Sequence, residues 1–288
     1  MNKQICEMVA ERVLAELENG VIPWNKPWFG TGKFVKHHNG ESYSLLNCIL
    51  LEEPGEYASF AQIKKEGGSV KKGAKSKIVV FWKMVRKEET DDDTGEKKVK
   101  TFPYLQYSRV FNLNDCENIK KKYVKDDEVA FVHDTVAEAE EIISKYKTEN
   151  PSLIIMRERR SNDAFYRVSD DYIQVPAMEQ YERGEEFYST LFHEMAHSTG
   201  HWNRLGRFKE SGKVAAFGEA DYGKEELIAE LGAAALCGKR GIETRDSFRN
   251  SAAYLDGWTK AIKGNPELIV SAAGKADKAV SYILEGKK

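Results

Sequence analysis

The chain has 288 residues, 41% of them hydrophobic and 31% charged, a composition that suits one large or two modest globular domains and excludes disordered or collagen-like chains. Its longest apolar runs, at 78–82 and 233–236, fall far short of the roughly 18–20 residues that cross a bilayer. Glu7 and Glu11 stand where a signal peptide would be apolar, so neither secretion nor a membrane partner is expected. The net charge of −2 hides an asymmetry: up to Lys125, 22 Lys+Arg stand against 17 Asp+Glu, and beyond it 22 stand against 29. The two halves are expected to have different partners.

Apolar residues at Ile5, Met8, Val9, Val13 and Leu17 predict a helix over 4–19, stopped at Gly20. Two prolines and two glycines in 21–32 exclude regular structure there. A polar turn at Asn39-Gly40 leads into 43–51, and a short helix is predicted over 59–66, ending at Gly67-Gly68. Segments 77–85 and 102–112 read as strands, and the almost wholly charged 86–101 between them reads as a mobile hairpin loop. The run 68–76 nearly spells a phosphate-binding P-loop. However, Ala74 stands where lysine is required, and the strand follows the loop instead of preceding it, so nucleotide binding is not expected.

The signal weakens over 123–134, where the domain boundary is placed. Thr135 with Glu138 opens a capped helix that runs to about Tyr146. Strand-like stretches follow at 153–157, 164–168 and 172–175, then helices at about 181–199, 223–238, 246–263 and 266–284. The expected fold class is α+β with two domains, 1–125 and 151–288, joined by a connecting helix in 126–150. Cys6, Cys48, Cys116 and Cys237 show no C-x-x-C spacing, which excludes a disulfide framework or thiolate zinc site and suits a reducing cytoplasm.

The strongest chemical signal is His193-Glu194-Met195-Ala196-His197. Histidines four apart on a helix share a face and can reach one ion, and Glu194 beside them can take a proton from a metal-bound water. With six histidines in the chain, the expected number of accidental H-E-x-x-H matches is on the order of 0.01. A third ligand at the position expected for metzincins is missing, because Asn203 stands there. His201, just past Gly200, is one candidate. The better one lies in 224–230, where Glu226 and Glu230 share a helix face and Ala229 is small enough for close helix packing. Tyr222 and His201 are candidate donors to an oxyanion. Two imidazoles and a carboxylate suit zinc, and also manganese, cobalt or nickel.

The E-x-x-A-E run resembles the glutamate-zincin metallopeptidases. That resemblance implies Glu226 as the ligand, Glu230 as the acid bracing a ligand histidine, and hydrolysis with Glu194 as general base.

Before Lys125, cations and aromatics interleave: Trp24, Lys26, Trp28, Tyr43, Lys72, Lys75, Trp82, Tyr104 and Tyr107. Exposed aromatic faces stack bases and lysines track phosphates, a combination that suits single-stranded nucleic acid. Residues 20–28, Tyr43 with Asn47, the turn 67–73, 79–82 and 110–112 resemble the N-terminal single-stranded-DNA-binding domain of ArdC-type antirestriction proteins. The stretch 193–201 with Arg204-Leu205, Phe217-Gly218, Tyr222 and 225–231 resembles the zincin domain that follows it in that family. Where family members carry a basic residue and a glycine between Tyr43 and Asn47, this chain has Ser44, Leu45 and Leu46. The resemblance implies an antirestriction protein of a mobile element or phage that binds single-stranded DNA through 1–125, with Trp24, Lys26, Trp28, Tyr43, Lys72 and Lys75 as DNA contacts. Two other readings remain open: a metallopeptidase whose first domain docks a protein substrate, and a DNA-masking protein whose metal is purely structural.

Overall fold

The computed structural model describes residues 2–19, 21–25, 35–90, 97–123, 135–181, 183–208, 220–239, 242 and 251–286. The chain opens with helix α1 (Lys3–Glu18), which buries Cys6, Val9 and Val13 along one face. Strand β1 (Val35–His37), helix α2 (Leu45–Leu51), strand β2 (Gly55–Ser59) and helix α3 (Phe60–Lys65) follow. Ser44 caps α2 by accepting the Asn47 N–H. Ser59 and Gln62 form a reciprocal capping box on α3, which satisfies two of the N–H groups that a helix start otherwise leaves open. Gly67 ends that segment with φ at 82°, a conformation that favours glycine.

Strands β3 (Ser69–Val70), β4 (Lys77–Thr90), β5 (Lys97–Asn112) and β6 (Cys116–Glu117) complete the first unit. A four-stranded sheet runs β1-β2-β5-β4, with β1 parallel to β2 and the other pairs antiparallel. The expected hairpin loop at 86–101 is much shorter than predicted. The ladder continues from Arg86 opposite Thr101 out to Thr90 opposite Lys97. Backbone pairing needs no buried side chains, so a charged sequence can extend a two-stranded ribbon that an apolar neighbour has set in register.

The residues between Tyr43 and Asn47 serve the core. Leu45 and Leu46 are buried, and the Asn47 side chain donates to Val80 O (2.9 Å) and accepts from Val80 N (2.8 Å), clamping α2 to β4. Glu56, wholly buried, pairs with His38 and accepts the N–H groups of Lys122 (2.7 Å) and Tyr123 (2.9 Å). The near-P-loop turns at Gly73, with φ at 90°, and feeds into β4, so a strand follows it as read.

The second unit holds α4 (Thr135–Glu149), strands β7 (Ile154–Met156), β8 (Phe165–Arg167) and β9 (Tyr172–Gln174), and helices α5 (Gly184–Ser198), α6 (Ala220–Lys239), α7 (Ser251–Gly264) and α8 (Glu267–Glu285). Its small sheet is ordered β7-β9-β8. One contiguous apolar core runs through both units, from Cys6, Val9 and Leu51 to Phe192, Leu227 and Ile269. Trp24 meets Trp258 of α7 edge to face at 5.3 Å, and Asp277 of α8 accepts the Leu45 N–H at the start of α2. The architecture is α+β with two units, as expected. All four cysteines are buried thiols. Among the described residues no helix is long and apolar enough to cross a membrane.

Candidate metal centre

His193 and His197 lie one turn apart on α5, and their Nε2 atoms approach to 3.0 Å. Glu226 of α6 points its carboxylate between them, with Oε2 3.5 Å from His193 Nε2 and Oε1 3.5 Å from His197 Nε2. Ligand atoms of the three residues all lie within 4.8 Å of one another. The other ring nitrogens face acids as well: His193 Nδ1 is 3.5 Å from Glu230 Oε1, and His197 Nδ1 is 3.4 Å from Glu225 Oε1. A carboxylate at Nδ1 keeps the imidazole proton there and turns the Nε2 lone pair toward the centre. This donor set, two imidazoles and a carboxylate, fits a divalent first-row ion.

The two helices meet closely because small residues oppose one another. Ala229 is buried as the sequence suggested, and a tighter constraint sits at Gly232, where a Cβ would lie 3.0 Å from Ala196 Cβ. Electrostatics follows from the crowding of acids around imidazoles. Burial alone would lower His197, but the Glu225 and Glu226 carboxylates push it up to about 10. His193 is raised in the same way, against its burial, chiefly by Glu226. Burial acts to raise Glu226, yet the two imidazoles hold it far below the ordinary carboxylate range. Glu230 is raised, burial being the main cause. Glu194 is buried beside this group, and its charge acts on His193, His197, Glu230 and Tyr181.

The turn after α5 locks its end. Arg207 grips Glu225 through Nε (3.0 Å to Oε2) and Nη2 (2.6 Å to Oε1), and also donates to Thr199 Oγ1 (2.8 Å) and Ala196 O (2.8 Å). Arg204 pairs with the buried Asp171, donates to Ser198 O (2.6 Å), and reaches the Tyr166 hydroxyl (3.1 Å). Gly200 is needed here, since a Cβ would fall 2.5 Å from the Phe208 ring.

His193, Glu194, His197, Glu226 and Glu230 are thus brought together. His201 is not: it is buried beyond the end of α5, with Nδ1 accepting the Asn203 N–H (3.2 Å) and its ring against Trp202. It is not among the residues whose ligand atoms converge. Tyr222 lies in the first turn of α6, and its side chain lies outside the described residues. Sequence reasoning missed Glu225 and Arg207. Glu225 adjoins Glu226 in the chain, and nothing in the pattern of charges distinguished its role.

The expected DNA contacts divide differently. Trp24, 1% exposed, and Tyr43, stacked on His37 at 3.6 Å, are core residues and cannot present a face to a base. Their burying partners, Trp258 for Trp24 and the His37 and Tyr57 rings for Tyr43, are set by tertiary packing. Lys26 and Trp28 lie outside the described residues. Lys72 and Lys75 are exposed on the turn before β4. The accessible aromatic rings of the ribbon are Trp82 (51% exposed) and Tyr107 on one face and Phe81, Phe102 and Tyr104 on the other.

Paired helices carrying H-E-x-x-H and a distal glutamate, behind a basic ribbon unit, define a zincin-like domain appended to an N-terminal α+β domain. Residues 138–275 match the zincin-like metallopeptidase family, and residues 3–111 match the N-terminal domain of anti-restriction factor ArdC. Two crystal structures of the antirestriction ArdC protein from plasmid R388 are similar over 98% of this chain and 97% of theirs. The metal-free one is 30% identical with a TM-score of 0.74, and the Mn(II)-bound one is 29% identical with a TM-score of 0.76. A DNA primase TraC of Escherichia coli is 30% identical over 99% of this chain, which spans only 27% of that relative's length. An uncharacterized protein of Sinorhizobium fredii is 24% identical over 97% of this chain and 91% of its own length. The chain belongs to the ArdC-type antirestriction family. The donor set and the Mn(II)-bound relative together support a divalent-metal cofactor.

Proposed function

We propose that this chain is an antirestriction protein of a mobile element that binds single-stranded DNA through its N-terminal unit and carries a peptidase-type hydrolytic site on α5 and α6. The carrying observation is the convergence of His193, His197 and Glu226 on one point with Glu194 alongside, in a chain whose relatives include an antirestriction protein. The ion is proposed as zinc or another divalent metal such as manganese. Bound there, such an ion would lower the pKa of a water and polarise a substrate carbonyl. The two Nε2 atoms and the Glu226 carboxylate would hold it, while Glu230 and Glu225 face the imidazoles from behind. The Glu194 carboxylate takes a proton from the attacking water and returns it to the leaving nitrogen. On the first unit, exposed Trp82, Tyr104 and Tyr107 with Lys72 and Lys75 support base stacking and phosphate contacts.

Elemental analysis of three proteins tests the site. Wild type and Glu194→Gln should retain one equivalent of metal, Glu226→Ala should lose it, and Glu194→Gln should have no hydrolytic activity that wild type possesses. Normal metal content in Glu226→Ala would sink the ligand assignment. Binding of a labelled single-stranded oligonucleotide, weakening as salt rises, tests the other half; no affinity at low salt would refute it.

A further inference from the structure

A cleft of about 530 Å³ opens where the two units meet. Phe81, Trp82 and Leu105 of the β4–β5 ribbon line one side, and Gly274, Lys275 and Lys278 of α8 line the other. The three α8 positions fall at i, i+1 and i+4 on one side of the helix, and two of them are lysines.

Three observations point to a ligand. Trp82 keeps half its surface exposed beside the cavity, although a tryptophan with no partner to meet is ordinarily buried further. Gly274 occupies the middle of α8, where glycine costs roughly 1 kcal/mol relative to alanine, and a Cβ there would meet nothing within 4 Å. No packing demand explains it; what it provides is room in the cleft. Finally, the Lys275 ammonium belongs to a cluster in which the cations Lys224 and Arg207 outnumber the acid Glu225, and burial with the two like charges disfavours its protonated form. Cations held together invite an anion. Asp277 borders the same space, but its carboxylate is engaged by the Leu45 N–H at 3.2 and 3.3 Å.

We propose that this cleft is a subsite for single-stranded nucleic acid, in which one base lies over Trp82 in the space left by Gly274 and the flanking phosphates meet Lys275 and Lys278. The inference rests on the single-stranded-DNA reading above and adds that the last helix of the zincin-like unit supplies half of the binding surface. The metal-bearing unit and the ribbon would then grip one strand jointly.

The test uses the full-length protein and a fluorescein-labelled oligothymidylate, with anisotropy followed over a salt series. Trp82→Ala should weaken binding roughly 5- to 100-fold, the range for loss of one base stack. Gly274→Leu should do the same by filling the cleft, and because leucine favours a helix over glycine the loss cannot be assigned to unfolding; circular dichroism and the thermal midpoint check this. The Lys275→Ala/Lys278→Ala double variant should reduce the slope of log K against log salt by about 1.4, from about 0.7 per phosphate on a single strand. A bromouracil-substituted oligomer should photocrosslink to the Trp82 peptide. If wild type binds the oligomer and all three variants match it within twofold, the subsite is wrong while the DNA reading stands, as it would be for a cleft that takes a polypeptide. If wild type does not bind, both fall together.

Discussion

The Glu225 carboxylate faces His197 Nδ1 at 3.4 Å while both its oxygens are held by the Arg207 guanidinium. This chain of contacts fixes the His197 ring plane from a residue outside the His193–His197–Glu226 group proposed to hold the metal. Arg207 also bonds Thr199 Oγ1 and Ala196 O, so the brace ties α6 to the end of α5. Removing such a partner typically costs 10–100-fold in metal affinity. Glu225→Ala should therefore bind zinc or manganese about 10–100-fold more weakly than wild type, and Glu226→Ala more weakly still. Calorimetric titration of the metal-stripped proteins reads both. Equal affinity in Glu225→Ala and wild type would show that the brace does not act on the ligand.

Helix spacing sets the same geometry through a different residue. With only 3.0 Å available between a Cβ at Gly232 and Ala196 Cβ, a branched side chain must push α6 away from α5. Gly232→Leu should cost about 1–3 kcal/mol as overpacking and also separate Glu226 from the imidazoles. The expected result is weakened metal binding in a variant that still folds. Retention of wild-type metal affinity would mean that the helices reach their spacing without this glycine.

Arg204 and Asp171 are both almost fully buried, with side chains 3% and 9% exposed. Arg204→Met would leave Asp171 without its cation and Ser198 O with the His201 N–H in place of its two donors. Breaking a buried pair from one side costs about 3–5 kcal/mol, whereas replacing both partners is much milder. Urea denaturation should show the single variant strongly destabilised and Arg204→Met/Asp171→Asn partly restored. A single variant within about 1 kcal/mol of wild type would refute the role of this pair.

Much of this arrangement was legible in the sequence because it is local. The H-E-x-x-H spacing reports a helix face directly, and the Glu226–Glu230 pair does the same on the next helix. Ser59, Gln62 and Gly67 spell the start and stop of α3 through capping chemistry alone. What stayed hidden depends on partners far along the chain. Trp24 reads as a stacking residue until Trp258, more than 200 positions away, packs on it. Glu225 is indistinguishable from its neighbours until α6 docks and turns it to His197. The extended β4–β5 ladder was hidden for another reason: its charged outer half has no apolar periodicity, and only the register inherited from 77–85 carries the pairing outward.

Asp277 gives the seam between the units a predictable pH response. Burial is the main influence on its carboxylate and pushes it up to about 6, against the opposing effects of the Leu45 N–H and Lys239. A carboxyl raised in the folded state holds its proton more tightly there than in the unfolded chain. Its contribution to stability is therefore complete below the ordinary value of 3.8 and is lost as pH rises through about 6. The loss amounts to about 1–2 kcal/mol once partial solvent exposure is discounted. Asp277→Asn cannot ionise, yet its amide oxygen can still accept the Leu45 N–H. The variant should accordingly be more stable than wild type by about 1–2 kcal/mol at pH 8, with the difference closing between pH 6 and 4. Urea midpoints of the two proteins across that range measure it, and taking the difference cancels every other titrating group. A variant less stable than wild type at pH 8 would mean that the ionised carboxylate at the start of α2 holds the units together.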